Sequence, residues 1–171
     1  MVEGLEHPLV KGIDHGHVPT TQSTPLTIQT DGWFRESTDL WDESLGIRCN
    51  GVPHVEKSRY QDILVFNAPS LGNVLVVDGI VQCSERDERA YSEVLANVPM
   101  NAHPNPRKVL IIDGGDGGVL RDVLTHDCLE QAVLVDIDEA VIRLSKEYLP
   151  FKAVGLSHPR PESSWETDSN T

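Results

Sequence analysis

Asp113-Gly114-Gly115-Asp116-Gly117-Gly118 gathers four glycines and two carboxylates into six residues. The apolar run Lys108-Val109-Leu110-Ile111-Ile112 precedes it, and Val119, Leu120, Val123 and Leu124 follow at helical spacing. Glycines between a buried strand and a helix let the backbone turn sharply and let a ligand lie close against it. A second apolar run, Ala132-Val133-Leu134-Val135, ends at Asp136, 18 residues after Gly118. An acid at that distance suits the hydroxyls of a ribose. Asp116, inside the loop, narrows the choice of ligand. A carboxylate is a poor neighbour for a pyrophosphate, which wants bare N–H groups, and a good one for a cation. The pattern favours an adenosine-type ligand with a positive centre, such as a sulfonium, over a dinucleotide.

These residues need elements to hold them. The alternation of short apolar strands with helical faces over residues 108–149 is βαβα, the opening of a parallel, doubly wound sheet. Asp138 is placed to cap the helix that carries Val141, Ile142, Ser145 and Leu149. Upstream, Ser58-Arg59-Tyr60-Gln61-Asp62-Ile63-Leu64-Val65-Phe66 predicts a strand. Val74-Leu75-Val76-Val77 and Ile80-Val81-Gln82-Cys83 flank Asp78-Gly79, the strongest short-range signal for a hairpin. Residues 31–83 therefore read as a small antiparallel β unit. A helix is expected from Ser84, with Ser84 as its cap and Asp87 three residues on. Its apolar face would be Ala90, Tyr91, Val94, Leu95 and Val98, and Pro99 would end it. Four segments result: a disordered tail over 1–30, the β unit with its linking helix over 31–98, a partial nucleoside-binding domain over 99–160, and a disordered tail over 161–171.

Composition bounds the function classes. The 171 residues carry 27 acidic and 14 basic side chains, a net charge of −13. Without a basic patch, nucleic acid and anionic membrane surfaces are disfavoured as partners. At 39% hydrophobic and 24% charged the chain is no disordered polyanion. No apolar run reaches the length that spans a bilayer, and no signal peptide is indicated. Cys49, Cys83 and Cys128 form neither a disulfide framework nor a zinc pattern, so a reducing, cytoplasmic setting is expected. His15 and His17 read as solvated histidines, and no metal is expected.

Longer stretches carry a resemblance. Gly32-Trp33-Phe34-Arg35-Glu36, the Ser58–Phe66 run, Gly72-Asn73-Val74-Leu75 with Asp78-Gly79, and Gln82-Cys83-Ser84-Glu85-Arg86-Asp87-Glu88 resemble spermidine synthases. So do His103-Pro104-Asn105-Pro106-Arg107-Lys108 and the glycine-rich loop beyond it. The resemblance implies an antiparallel β domain followed by a Rossmann-like, methyltransferase-type domain. It implies transfer of an aminopropyl group from decarboxylated S-adenosylmethionine, a co-substrate rather than a cofactor, to putrescine. It also implies a homodimer formed through the β domain. Carried over singly, Gln61 would contact the donor and Tyr91 would line the amine pocket in a catalytic role. Ser92 stands where the family often has Gln or His. Gly114, Gly115, Asp116 and Gly117 form the donor loop, with Asp116 near the donor's cationic end. Asp136 takes the place of the ribose-binding acid, usually Glu, with Ile137 beside it.

The same resemblance marks departures. Asp113 replaces the first of three glycines, at a cost if that position needs a positive φ. The Asp-Ser-Ser-Asp-type loop, whose aspartate deprotonates the attacking amine, has no counterpart among the 171 residues. An alkyl amine with a pKa of about 10.4 must lose its proton before attack, at about 4–5 kcal/mol at pH 7. The expectation is a truncated form with two strands in its parallel sheet, each exposing an edge. The alternative is a non-catalytic fragment that binds nucleoside weakly or pairs with a full-length enzyme.

Overall fold

Asp78 and Gly79 turn the chain with φ of 50° and 81°. Positive values at both central positions match the right-handed twist of paired strands. The hairpin they close joins β5 (Gly72–Val77) to β6 (Ile80–Ser84). The computed structural model describes residues 28, 31–37, 44–157 and 164–167. Most of the disordered tail expected over 1–30, with His15 and His17, lies outside the described residues.

The antiparallel β unit is present as two sheets. One is a hairpin of β1 (Trp33–Ser37) and β2 (Ser44–Arg48). The other has the order β3-β4-β5-β6, with β3 at Gly51–Lys57 and β4 at Asp62–Ala68. The strand expected from Ser58 begins later. Ser58 Oγ instead accepts the N–H groups of Tyr60 and Gln61, at 3.0 and 2.9 Å, which builds a tight turn ahead of β4. Gln61 is therefore in that turn and not in the strand.

Strand β4 is apolar without alternation because both faces of its sheet are covered. Leu64, Phe66, Val74 and Val76 pack with Phe34 and Ile47 of the small hairpin. Ile63, Val65, Leu75 and Val77 face the other way and pack on Ala140, Val141, Leu144 and Leu149. The second set belongs to α3 (Glu139–Tyr148) and the residue after it, so one core joins the two halves of the chain. Arg143 adds a two-pronged pair to Glu56 of β3, at 2.7 Å to each oxygen.

Helix α1 spans Glu88–Ala102, later at both ends than expected. Ser84 does not cap it. Ser84 donates its N–H and hydroxyl to Asp87 Oδ1, at 2.8 and 2.7 Å, and this fixes a turn before the helix starts. Pro99 lies inside the helix instead of ending it. The expected apolar face is also reversed. Tyr91, Val94, Leu95 and Val98 are exposed, while Ser92, Ala96 and Met100 are buried. Helical periodicity defines a stripe but not what covers it.

The parallel sheet has the order β7-β8-β9, with β7 at Lys108–Ile112, β8 at Gln131–Asp136 and β9 at Ser164–Thr167. This corrects the expectation of two strands and of a structureless 161–171. Residues 164–167 pair in parallel with Val133–Asp136. Such a strand is defined by its neighbour's free hydrogen-bonding edge, and Ser164-Trp165-Glu166-Thr167 has too short an apolar pattern to announce it. Among the described residues strand β7 keeps one open edge, as expected. Helix α2 (Gly118–Val123) and the 3₁₀ turn Ala153–Ser157 pack over this sheet. Among the described residues no helix is long and apolar enough to cross a membrane.

Candidate functional site

The glycine-rich loop leaves β7 at Asp113, whose N–H bonds Val135 O of β8 at 2.9 Å and whose φ is 61°. The position does demand a positive φ, and here a residue with a Cβ supplies it. Gly117, with φ of 81°, closes the loop by donating to Gly114 O at 2.8 Å. Its missing side chain matters: a Cβ there would lie 2.9 Å from Leu156 Cγ.

Asp136 is buried at the end of β8 and is fully engaged. Its Oδ2 accepts from Gly115 N at 2.7 Å and Gly114 N at 3.2 Å, and its Oδ1 accepts from Asp138 N at 2.9 Å. The carboxylate thus braces the loop through its N–H groups. Asp116 is engaged as well. Its Oδ1 accepts from Gly118 N at 2.7 Å, and its Oδ2 lies 2.9 Å from Lys152 Nζ.

In front of this loop is a cleft of about 280 Å³, between the parallel-sheet half and the four-stranded sheet. Gln61, Tyr91, Gly114, Gly115, Asp116 and Asp136 all line it. Tyr91 stands at its mouth, 66% exposed. Ser92, Gly117 and Ile137 are not on its wall. Ser92 is buried behind the loop, against Gly118, and its hydroxyl has no hydrogen-bond partner among the described residues. Ile137, just past the end of β8, is half-exposed.

Sequence reasoning missed several wall residues. Leu75, Val77 and Gln82 come from the hairpin, and Leu95, Val119 and Val141 come from three helices. The apolar members belong by pattern to strands and helix faces, and nothing local distinguishes a core residue from a cleft residue. Lys152 was also missed. A lone cation in the segment Phe151-Lys152-Ala153-Val154 was the available signal, since a buried ammonium needs a carboxylate.

Three carboxylates, Asp113, Asp116 and Asp136, share one wall of the cleft, and Lys152 pairs with Asp116 from behind it. Burial, the neighbouring Asp136 and then Asp116 raise the Asp113 pKa. Burial pushes the Cys83 thiol up to about 12, so it is no nucleophile at neutral pH. Burial opposes the charge of Lys152, but the pull of Cys83 and Asp116 outweighs it and leaves the pKa raised. Because the Cys83 thiol is neutral, Asp116 is the operative partner. Among the described residues no group of three His, Cys, Asp or Glu is placed to hold a metal ion.

An antiparallel β unit joined to a parallel α/β sheet, with a glycine-rich loop at the end of the first parallel strand, defines a methyltransferase-like α/β protein with an N-terminal β domain. Comparison with known proteins makes this specific. Residues 32–85 match the spermidine synthase tetramerisation domain, and residues 88–166 match the spermine/spermidine synthase domain. The chain belongs to the spermidine synthase family. The spermidine synthase of Schizosaccharomyces pombe is 46% identical over 160 residues, which is 93% of this chain and 47% of that protein. A crystal structure of the Thermotoga maritima spermidine synthase is similar at a TM-score of 0.76 and 40% identity, over 84% of this chain and 50% of that one. A spermidine synthase solved with the transition-state analogue AdoDATO matches at 0.76 and 41%, over 83% and 48%. The chain spans about half the length of the relatives it matches.

Proposed function

We propose that this chain forms the donor-binding side of an aminopropyltransferase. The donor is decarboxylated S-adenosylmethionine and the acceptor is putrescine. One observation carries the reading: six residues picked out by motif from separate parts of the sequence converge on a single cleft whose wall bears three carboxylates. A sulfonium nucleoside suits that wall, with its cation near the acids and its adenosine along the glycine-rich loop. Gln61 and Tyr91 then flank the aminopropyl group.

In the reaction the amine lone pair attacks the propyl carbon next to sulfur. A C–N bond forms, the C–S bond breaks with its electron pair going to sulfur, and neutral methylthioadenosine leaves. The proton released by the amine needs a carboxylate, and the family's loop for this purpose has no counterpart in residues 1–171. A second reading is that these residues by themselves bind nucleoside without catalysis. The reading also includes self-association through the β unit as a homodimer, and a cytoplasmic setting.

Calorimetric titration with decarboxylated S-adenosylmethionine tests the donor site. Gln61 offers the cleft a side chain, and its backbone makes the local turn. Gln61→Ala is therefore expected to weaken donor binding about 3- to 10-fold while leaving the melting midpoint unchanged. Absence of binding by the wild-type chain refutes both readings. Spermidine formed on adding putrescine selects the enzyme, and binding without product selects the second reading.

A further inference from the structure

Lys152 has no role in any of the motifs above, yet it is one of the most buried side chains of the protein, at 1% exposure. Its ammonium lies 2.9 Å from Asp116 Oδ2. Its stem runs under the loop so closely that a Cβ on Gly118 would meet Lys152 Cε at 2.5 Å and Ser92 Oγ at 2.4 Å. The other oxygen of Asp116 is held by Gly118 N–H. Both oxygens are thus satisfied from the protein side before any ligand arrives.

We infer that Lys152 is the internal counter-ion of the cleft and sets which ligand charge the cleft prefers. An unpaired carboxylate on a cleft wall gains most by meeting a cation, whereas one already paired with a buried ammonium gains much less. Asp116 therefore acts chiefly as a positioned loop anchor. The unpaired negative charge left for a ligand rests with Asp113, since Asp136 is bound up with loop N–H groups. Lys152 lowers the preference of the cleft for a sulfonium nucleoside over its neutral thioether counterpart. Removing it should restore that preference. This inference deepens the donor-site reading and rests on it.

The experiment compares the affinities of decarboxylated S-adenosylmethionine and of neutral methylthioadenosine for the wild-type chain and for Lys152→Met, which keeps the length of the side chain and drops the charge. The ratio of the two affinities cancels any loss common to both ligands. It is expected to shift at least tenfold towards the sulfonium, and an unchanged ratio overturns the inference. A second arm guards against a variant that fails to fold. The melting midpoints of Lys152→Met, Asp116→Asn and the double variant are compared. The double variant is expected to lose less than the two single losses added together, because each single variant leaves the other member of the pair without its counter-charge. Additive losses overturn the counter-ion assignment. If the wild-type chain binds neither nucleoside, the donor-site reading falls, and the melting comparison alone decides the ion pair.

Discussion

Asp113 combines two costs at one position. Its φ of 61° lies in the left-handed region, which a Cβ disfavours by about 1 kcal/mol. Its carboxyl is also held above the ordinary range by burial and by Asp136 and Asp116. A carboxyl whose pKa is higher in the folded state favours folding when protonated and opposes it when ionised. The penalty is absent below the unfolded pKa, grows as pH rises towards the folded one, and is complete above it. Asp113→Asn keeps the side-chain shape and removes the charge. It is expected to melt above the wild type at neutral pH and level with it at about pH 3. Asp113→Gly should add the backbone gain at every pH. Equal melting of Asp113→Asn and wild type at neutral pH would rule out the electrostatic part. At this scale the sequence revealed what is local. The glycine spacing, the acid 18 residues on and the suspect Asp113 can all be read within one βαβ unit. The Lys152–Asp116 pair joins positions that no period links, and only the packing of the 3₁₀ turn against the loop brings them together.

Among the elements, α3 holds the two halves of the chain in register, and Asp138 is its anchor. Asp138 Oδ1 accepts from Ala140 N at 3.0 Å as an N-cap, and Oδ2 accepts the Ser58 hydroxyl from the turn before β4. The same turn presents Gln61 to the cleft. Asp138→Ala removes the cap and leaves the Ser58 hydroxyl only the longer bond to Gln61 O, at 3.2 Å, for an expected loss of about 1–2 kcal/mol in urea unfolding. Asp138→Asn retains an acceptor for Ala140 N and should lose less than half of that. Equal losses in the two variants would mean that capping contributes little and charge dominates. The cap of α3 and the Asp78-Gly79 hairpin were legible because each depends on a few adjacent residues. The start of α1 was not, since Ser84 has two possible uses and Asp87 draws it into the preceding turn. Strand β9 was not legible either, because its register comes from β8.

The molecule as a whole carries two kinds of exposed apolar surface on a body of net charge −13. On the parallel-sheet half, Val94 and Val98 of α1 and Leu110 and Ile112 of the edge strand β7 are all exposed. On the other, Leu45 of β2 and Val55 of β3 project from the antiparallel half. Copies with this charge repel one another, so a stable contact must bury apolar area to offset the repulsion. The proposed homodimer uses the β unit, and two charge-matched variants test that choice. Leu45→Glu with Val55→Glu, and Val98→Glu with Ile112→Glu, each add two negative charges at exposed positions. General repulsion therefore rises equally in both, and only the place of the new charge differs. Light scattering is expected to give twice the 18.9 kDa chain mass for the wild type and for the α1/β7 variant, and the single-chain mass for the β-unit variant. The α1/β7 pair should also lower binding of a hydrophobic dye, since that face stays open in the dimer. If instead the α1/β7 variant becomes monomeric and the β-unit variant stays dimeric, the chain self-associates through its open sheet edge, and the β-unit interface is wrong.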